Sequence, residues 1–131
     1  MTIRTSENSK TIISALTYSL ALGAENIIAR IAIVYSLKHH IGELDLNSLE
    51  DSKGKEYSRK VLLGTHDKVY IGMICQVHMI RETSPLLAKI LKYHLDRGLR
   101  LIQEFKDARP RINTIEFLNG LASDSFEPTI P

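Results

Sequence analysis

Residues 26–37 read NIIARIAIVYSL, a helix-length run with apolar side chains on nearly every side. Ile27, Ile28, Ile31, Val34 and Leu37 recur at helical spacing, and Ala29, Ala32 and Ile33 fill the remaining faces. A helix of this kind must be buried on most of its surface. A chain of 131 residues has little with which to wrap it, so a partner subunit is the expected cover. Arg30 is the one charge inside the run. It must find an acid, a carbonyl or a phosphate, because an unpaired buried charge is costly.

The elements around this helix follow from simpler signals. Residues 2–5, TIRT, form a very short strand pattern with Ile3 inward and Thr2 and Arg4 outward. Ser6 caps a first helix, with Glu7 in its first turn and Ile12, Ile13, Leu16 and Leu20 on one face. Gly23 marks its stop, which places the helix over about residues 7–22. Residues 38–58 are polar and read as a loop, with a short turn near Leu44–Leu49. VLLG at 61–64 reads as a short buried segment. Thr65 then caps a helix ending near Glu82, with Val69, Tyr70, Met73, Ile74, Val77 and Ile80 as its apolar stripe. Ser84-Pro85 opens the last long helix, because proline at the first position loses no needed hydrogen bond. Leu87, Ile90, Leu91, His94, Leu95, Leu99, Ile102 and Phe105 line its inner face, Lys89, Lys92, Arg97, Arg100 and Lys106 lie mostly elsewhere, and Pro110 ends it. IEFLNG holds one turn at most, and the tail with Pro128 and Pro131 frays or docks on a neighbour. The expected fold is mainly α: a ribbon-helix-helix-like N-terminal unit, two longer helices and a C-terminal tail. One helical domain covers 1–108, and 109–131 is an extension.

Composition removes several function classes. The single cysteine, Cys75, forms no internal disulfide, which points to a reducing, cytoplasmic setting. The polar N-terminus is unlike a secretory signal, and no apolar run of about 18 residues reads as a membrane span. There is no CxxC, HExxH, GxGxxG or Walker-type loop, so no metal, cofactor or nucleotide is expected and no catalytic residue is assigned. Cys75 sits among Met73, Ile74 and Val77 and reads as an apolar filler, while His78, His94 and Asp96 fit helix packing or surface roles. The net charge of +2 is modest, but residues 57–111 carry eleven basic and five acidic side chains. Such an excess attracts a polyanion when it clusters in space.

The order of short strand, helix, tight turn and helix resembles that of ribbon-helix-helix DNA binders, in which two chains pair their strands and the ribbon enters a groove. A closer resemblance rests on three motifs in order: NIIARIAIVYSL at 26–37, EYSRKVLLGTHD at 56–67 and HLDRG at 94–98. Together they resemble the DndE family of DNA sulfur modification proteins over most of residues 3–105. Asn26, Arg30, Ser36 and Leu37 match its helix-two pattern. Arg59, Leu62, Leu63, Gly64 and Asp67 match its middle motif, and His94, Leu95, Arg97 and Gly98 its last. Ala24-Glu25 stands where the family has Thr-Pro, and Ala29 where it has a cysteine.

The resemblance implies a helical protein that assembles into tetramers and binds double-stranded DNA, nicked duplexes included. In these systems sulfur replaces a non-bridging phosphate oxygen. The sulfur chemistry belongs to partner proteins: a cysteine desulfurase, an iron–sulfur protein with an ATP-pyrophosphatase-like domain, and an ATPase. The expected function is thus a non-catalytic DNA-binding accessory subunit of phosphorothioation. The alternative is an oligomeric scaffold for the modification enzymes with little direct DNA contact. The residues expected to meet DNA are Arg4, Lys10, Arg30, Arg59 and Lys60, through phosphates rather than bases. For Arg59 a pairing with Glu56 or Asp67 that only steadies the fold is the competing expectation.

Overall fold

The computed structural model describes residues 1–40 and 42–126, with side chains through residue 123. In chain order the elements are β1 (Thr2–Arg4), α1 (Glu7–Ser19), α2 (Glu25–Lys38), a 3-10 turn at Leu46–Ser48, β2 (Glu56–Ser58), α3 (Arg59–Leu63), a second 3-10 turn at Gly64–His66, α4 (Asp67–His78), α5 (Leu87–Asp107) and α6 (Thr114–Phe126). The fold is mainly α. The tail with Pro128 and Pro131 lies outside the described residues. Among the described residues no helix is long and apolar enough to cross a membrane.

β1 has the expected alternation, but its partner is in the same chain. It runs antiparallel to β2, with Ile3 opposite Tyr57 and Arg4 opposite Glu56. Ile3 and Tyr57 both point inward and are buried, leaving Thr2, Arg4, Glu56 and Ser58 on the outer face. The polar loop read over 38–58 therefore ends in a strand. β2 runs straight into α3, whose cap is Ser58, and the Arg59 N–H donates to the Met1 carbonyl.

Two helices end earlier than their sequence signals. α1 stops at Ser19, before Gly23, because Ala21 takes the left-handed conformation at φ 52°. The Leu22 N–H then reaches the Thr17 carbonyl and the Ala21 N–H the Tyr18 carbonyl, a Schellman closure without glycine. α4 stops at His78 for the same reason: Met79 sits at φ 56°, and the Ile80 N–H donates to the Cys75 carbonyl. Thr65 does not cap α4. It lies in the 3-10 turn, and no side chain makes a cap bond there. α6 is a full helix rather than one turn, and its Phe117 and Leu121 join the core.

The core surrounds α2. Ile28, Ala29, Ala32 and Ile33 are fully buried, Ile31, Val34 and Leu37 are half-buried, and Ile27 alone of these residues reaches the surface. Helices α1, α3, α4, α5 and α6 all pack on it. The expected cover by a partner subunit is corrected in part: elements of the same chain, the long helix α5 foremost, cover most of α2, while Ile27 stays exposed. The apolar surplus appears on α4 instead. Ile71 and Ile74 face the core, while Val69 and Val77 are exposed and Met73 is half-buried. The inner face of α5 is as read, Leu87 through Phe105, but Lys92 is buried with it.

α2 and α5 cross closely in the core. A Cβ built on Gly98 of α5 would overlap the Ala32 carbonyl of α2. Only hydrogen fits there, so a backbone lies directly against a backbone. Gly98→Ala is expected to lower stability by about 3 kcal/mol, the upper range for overpacking. Urea unfolding of the purified variant measures this, and an unchanged midpoint would refute the close crossing.

Candidate nucleic-acid interface

The five basic residues singled out from the sequence divide into two kinds. Arg4 lies on the outer face of β1, and Arg59 and Lys60 begin α3, so these three share the small β1–β2–α3 unit. Arg30 reaches the far end of α3 from α2. Lys10 stands apart on α1, exposed to solvent.

Arg30 is held by carbonyls. Its Nε donates to the Leu62 carbonyl at 2.8 Å and its Nη2 to the Val61 carbonyl at 3.3 Å. Asn26, one helical turn earlier, donates Nδ2 to the same Val61 carbonyl at 3.1 Å. These acceptors close a short helix whose last carbonyls lack intrahelical donors. Gly64 follows at φ 72°, and a Cβ there would press into the Arg30 guanidinium. The first motif thus grips the backbone of the second.

Arg59 also turns inward. Its Nε donates to Asp67 Oδ2 at 2.7 Å, and Nη1 and Nη2 both lie 3.3 Å from Glu82 Oε1. The acid it meets is Asp67 and not Glu56, which pairs loosely with Arg4 at 3.6 Å. Asp67 is buried at the start of α4, where the helix dipole also favours its charge. The hydrogen bond from Arg59, with that from Lys60, holds its carboxyl below the usual carboxylate value against the opposing effect of burial. Lys60 reaches Asp67 Oδ1 at 3.3 Å, yet its side chain remains 75% exposed. A pair so open to water contributes little and leaves the ammonium available.

The third motif, HLDRG, ties α5 to three other helices through its polar residues. His94 Nδ1 is 2.8 Å from Ser36 Oγ on α2, and its Nε2 is 2.7 Å from His78 Nε2 on α4. Asp96 Oδ1 accepts from the Ser6 N–H at 3.2 Å and the Ser9 hydroxyl at 2.6 Å, which ties the start of α1 to α5. Its Oδ2 accepts from Lys92 Nζ at 2.6 Å, and Lys92 also donates to the Asp51 carbonyl at 2.7 Å. The burial of Lys92, unexpected from its place among charged neighbours, follows from this carboxylate. Arg97 donates Nη1 to the Ser36 carbonyl and hydroxyl and Nη2 to the His39 carbonyl, at 2.8 to 2.9 Å, closing the C-terminal end of α2.

Ser36 and His94 have the spacing of a nucleophile and its base, but both are fully buried and Ser36 Oγ is already an acceptor for Arg97. A substrate cannot reach that hydroxyl in this arrangement. Cys75 is half-buried and packs against the core. Of the five candidate cations, Arg30 and Arg59 are therefore committed within the chain, while Arg4, Lys10 and Lys60 face solvent. The signal that separates them was present in part: Asp67 lies eight residues after Arg59, but Glu82 meets it through the fold alone.

A comparison with curated proteins gives no match. The family model for the DNA sulphur modification protein DndE matches residues 2–109, which takes in all three motifs and every element from β1 to α5. On this match the chain belongs to the DndE family, and its context is DNA sulfur modification.

Proposed function

We propose that this protein is a non-catalytic accessory subunit of the bacterial DNA phosphorothioation machinery, acting in the cytoplasm and binding double-stranded DNA, nicked duplexes included, as a homo-oligomer, with a tetramer as the assembly. The observation that carries the reading is the family match over residues 2–109. Support comes from the solvent-facing Arg4, Lys10 and Lys60, which repetition in an oligomer would turn into a broader positive surface. Long flexible cations without aromatic neighbours suit phosphate contact, which gives affinity with little base specificity. The other phosphorothioation proteins supply the sulfur chemistry.

Assembly is supported by the exposed apolar row on α4. Val69, Met73 and Val77 lie one turn apart, and Val69 and Val77 are 59% and 47% exposed. Apolar side chains in a row on one helix mark a surface that a second copy can cover. The scaffold reading, with little DNA contact, is favoured by the acids that meet the basic side chains: Glu56, Asp67 and Glu82.

Salt-dependent DNA binding separates these readings, and light scattering tests the assembly. Lys10→Ala with Lys60→Ala is expected to weaken binding to unrelated duplexes about equally and to leave the melting temperature unchanged. The slope of log affinity against log salt becomes shallower by roughly one unit per lost phosphate contact. Arg59→Ala, in contrast, lowers the melting temperature because it leaves the buried Asp67 without its main partner. Salt-independent binding, or no binding at low salt, leaves the scaffold reading. Val69→Glu with Val77→Glu is expected to give a smaller assembly by light scattering at micromolar concentration; an unchanged mass would remove α4 from the interface.

A further inference from the structure

Three histidine rings meet where α4 and α5 pack beside the end of α2. His40 leaves α2, His78 ends α4 and His94 lies at the middle of α5. The ring centroids are 4.9 Å apart for His40 and His78, 4.9 Å for His78 and His94, and 5.5 Å for His40 and His94. Tyr93 covers the group edge-on, 5.1 Å from His94 and 6.4 Å from His40. From α2 the group is faced by Ser36, and from α5 by Arg97, which binds the same Ser36 hydroxyl. The ring of the neighbouring His39 lies against Tyr35. No carboxylate hydrogen-bonds any of the three rings among the described residues.

The His78–His94 contact restricts how many protons the group can hold. An N–N separation of 2.7 Å is a hydrogen bond in which one nitrogen donates and the other accepts. The pair therefore shares a single proton between its two Nε2 atoms. When both rings are cationic, two N–H groups face each other and the bond is lost. Arg97, which acts on His94, is also positive, so a proton added to His94 meets like charge in a buried place.

We propose that His40, His78 and His94 form an acid-sensitive latch, which holds the end of α4 and the segment leaving α2 against α5 and lets go on proton uptake. Burial first, and then the neighbouring cations, pushes His94 from 6.5 down to about 3, and burial with His40 lowers His78. A histidine whose folded pKa is depressed adds stability that is full above the unfolded value of 6.5 and is lost as pH falls from there toward the folded value. The latch is thus closed at neutral pH and weakens through the window below 6.5.

Imidazole nitrogen NMR on the intact protein tests this directly. His94 is expected to stay neutral until well below 6.5 and His78 to titrate below its ordinary value, and backbone resonances at residues 36–40 and 76–80 to shift together as they do. A His94 midpoint at or above 6.5, or titration without any shift in those two segments, overturns the proposal. His78→Gln supplies a second readout, since an amide can donate or accept at His94 Nε2 but cannot titrate. Between about pH 7.5 and about pH 5 the wild type is expected to lose on the order of 5 °C more in melting temperature than the variant. An equal loss in both proteins overturns the latch.

Discussion

The contact of α5 with α2 at Gly98 sets the rest of the architecture. With hydrogen in place of a side chain, the backbone of α5 rests on the Ala32 carbonyl, and the two helices approach closely over their buried faces. That approach puts the residues just before Gly98 within reach of three neighbours. Asp96 reaches the start of α1, Arg97 the end of α2, and His94 both α2 and α4. Were the helices a methyl group further apart, Arg97 and the Nδ1 side of His94 would lose their partners on α2, at a cost comparable to the bonds they now make. The close crossing and the polar network therefore stand together.

How much of this was readable depends on how local the determinant is. The inner face of α5 was legible because its apolar residues hold one helical stripe against a charged opposite face. The existence of α2 was legible for the same kind of reason, although its cover was not: the stripe on α5 does not say which helix it meets, and IEFLNG reads as one turn where α6 forms a full helix. The face of α4 was misread because Val69, Tyr70, Ile71, Met73, Ile74 and Val77 make the helix apolar nearly all round, and periodicity cannot choose a side. The ends of α1 and α4 were misplaced because Ala21 and Met79 adopt a conformation that normally advertises itself with glycine. β2 escaped notice because three residues in a polar stretch carry no pattern, and its pairing with β1 spans more than fifty positions.

The candidate site shows the same division. The sequence singled out five basic residues, of which Arg30, Arg59 and Lys60 lie within its motifs. It left open whether Arg59 meets acid or solvent, and the fold answers with Asp67 from nearby and Glu82 from beyond α4. Arg30 found a carbonyl among its three possible partners, because α3 ends directly beneath it. Asn26, Arg30, Arg59 and Arg97 thus hold the fold together, while Lys10 and Lys60 keep their charge in water.

The choice of acceptors in this network carries a consequence for sequence change. Asn26, Arg30 and Arg97 all donate to main-chain carbonyls, those of Val61, Leu62, Ser36 and His39. A carbonyl is present whatever side chain its residue bears. Mutation at Val61 or His39 can thus alter packing without removing the acceptor, whereas mutation of Asn26, Arg30 or Arg97 removes the bond itself. The tolerance to substitution is one-sided: the donor's identity is fixed by geometry, and the acceptor's is free to drift so long as the backbone keeps its course.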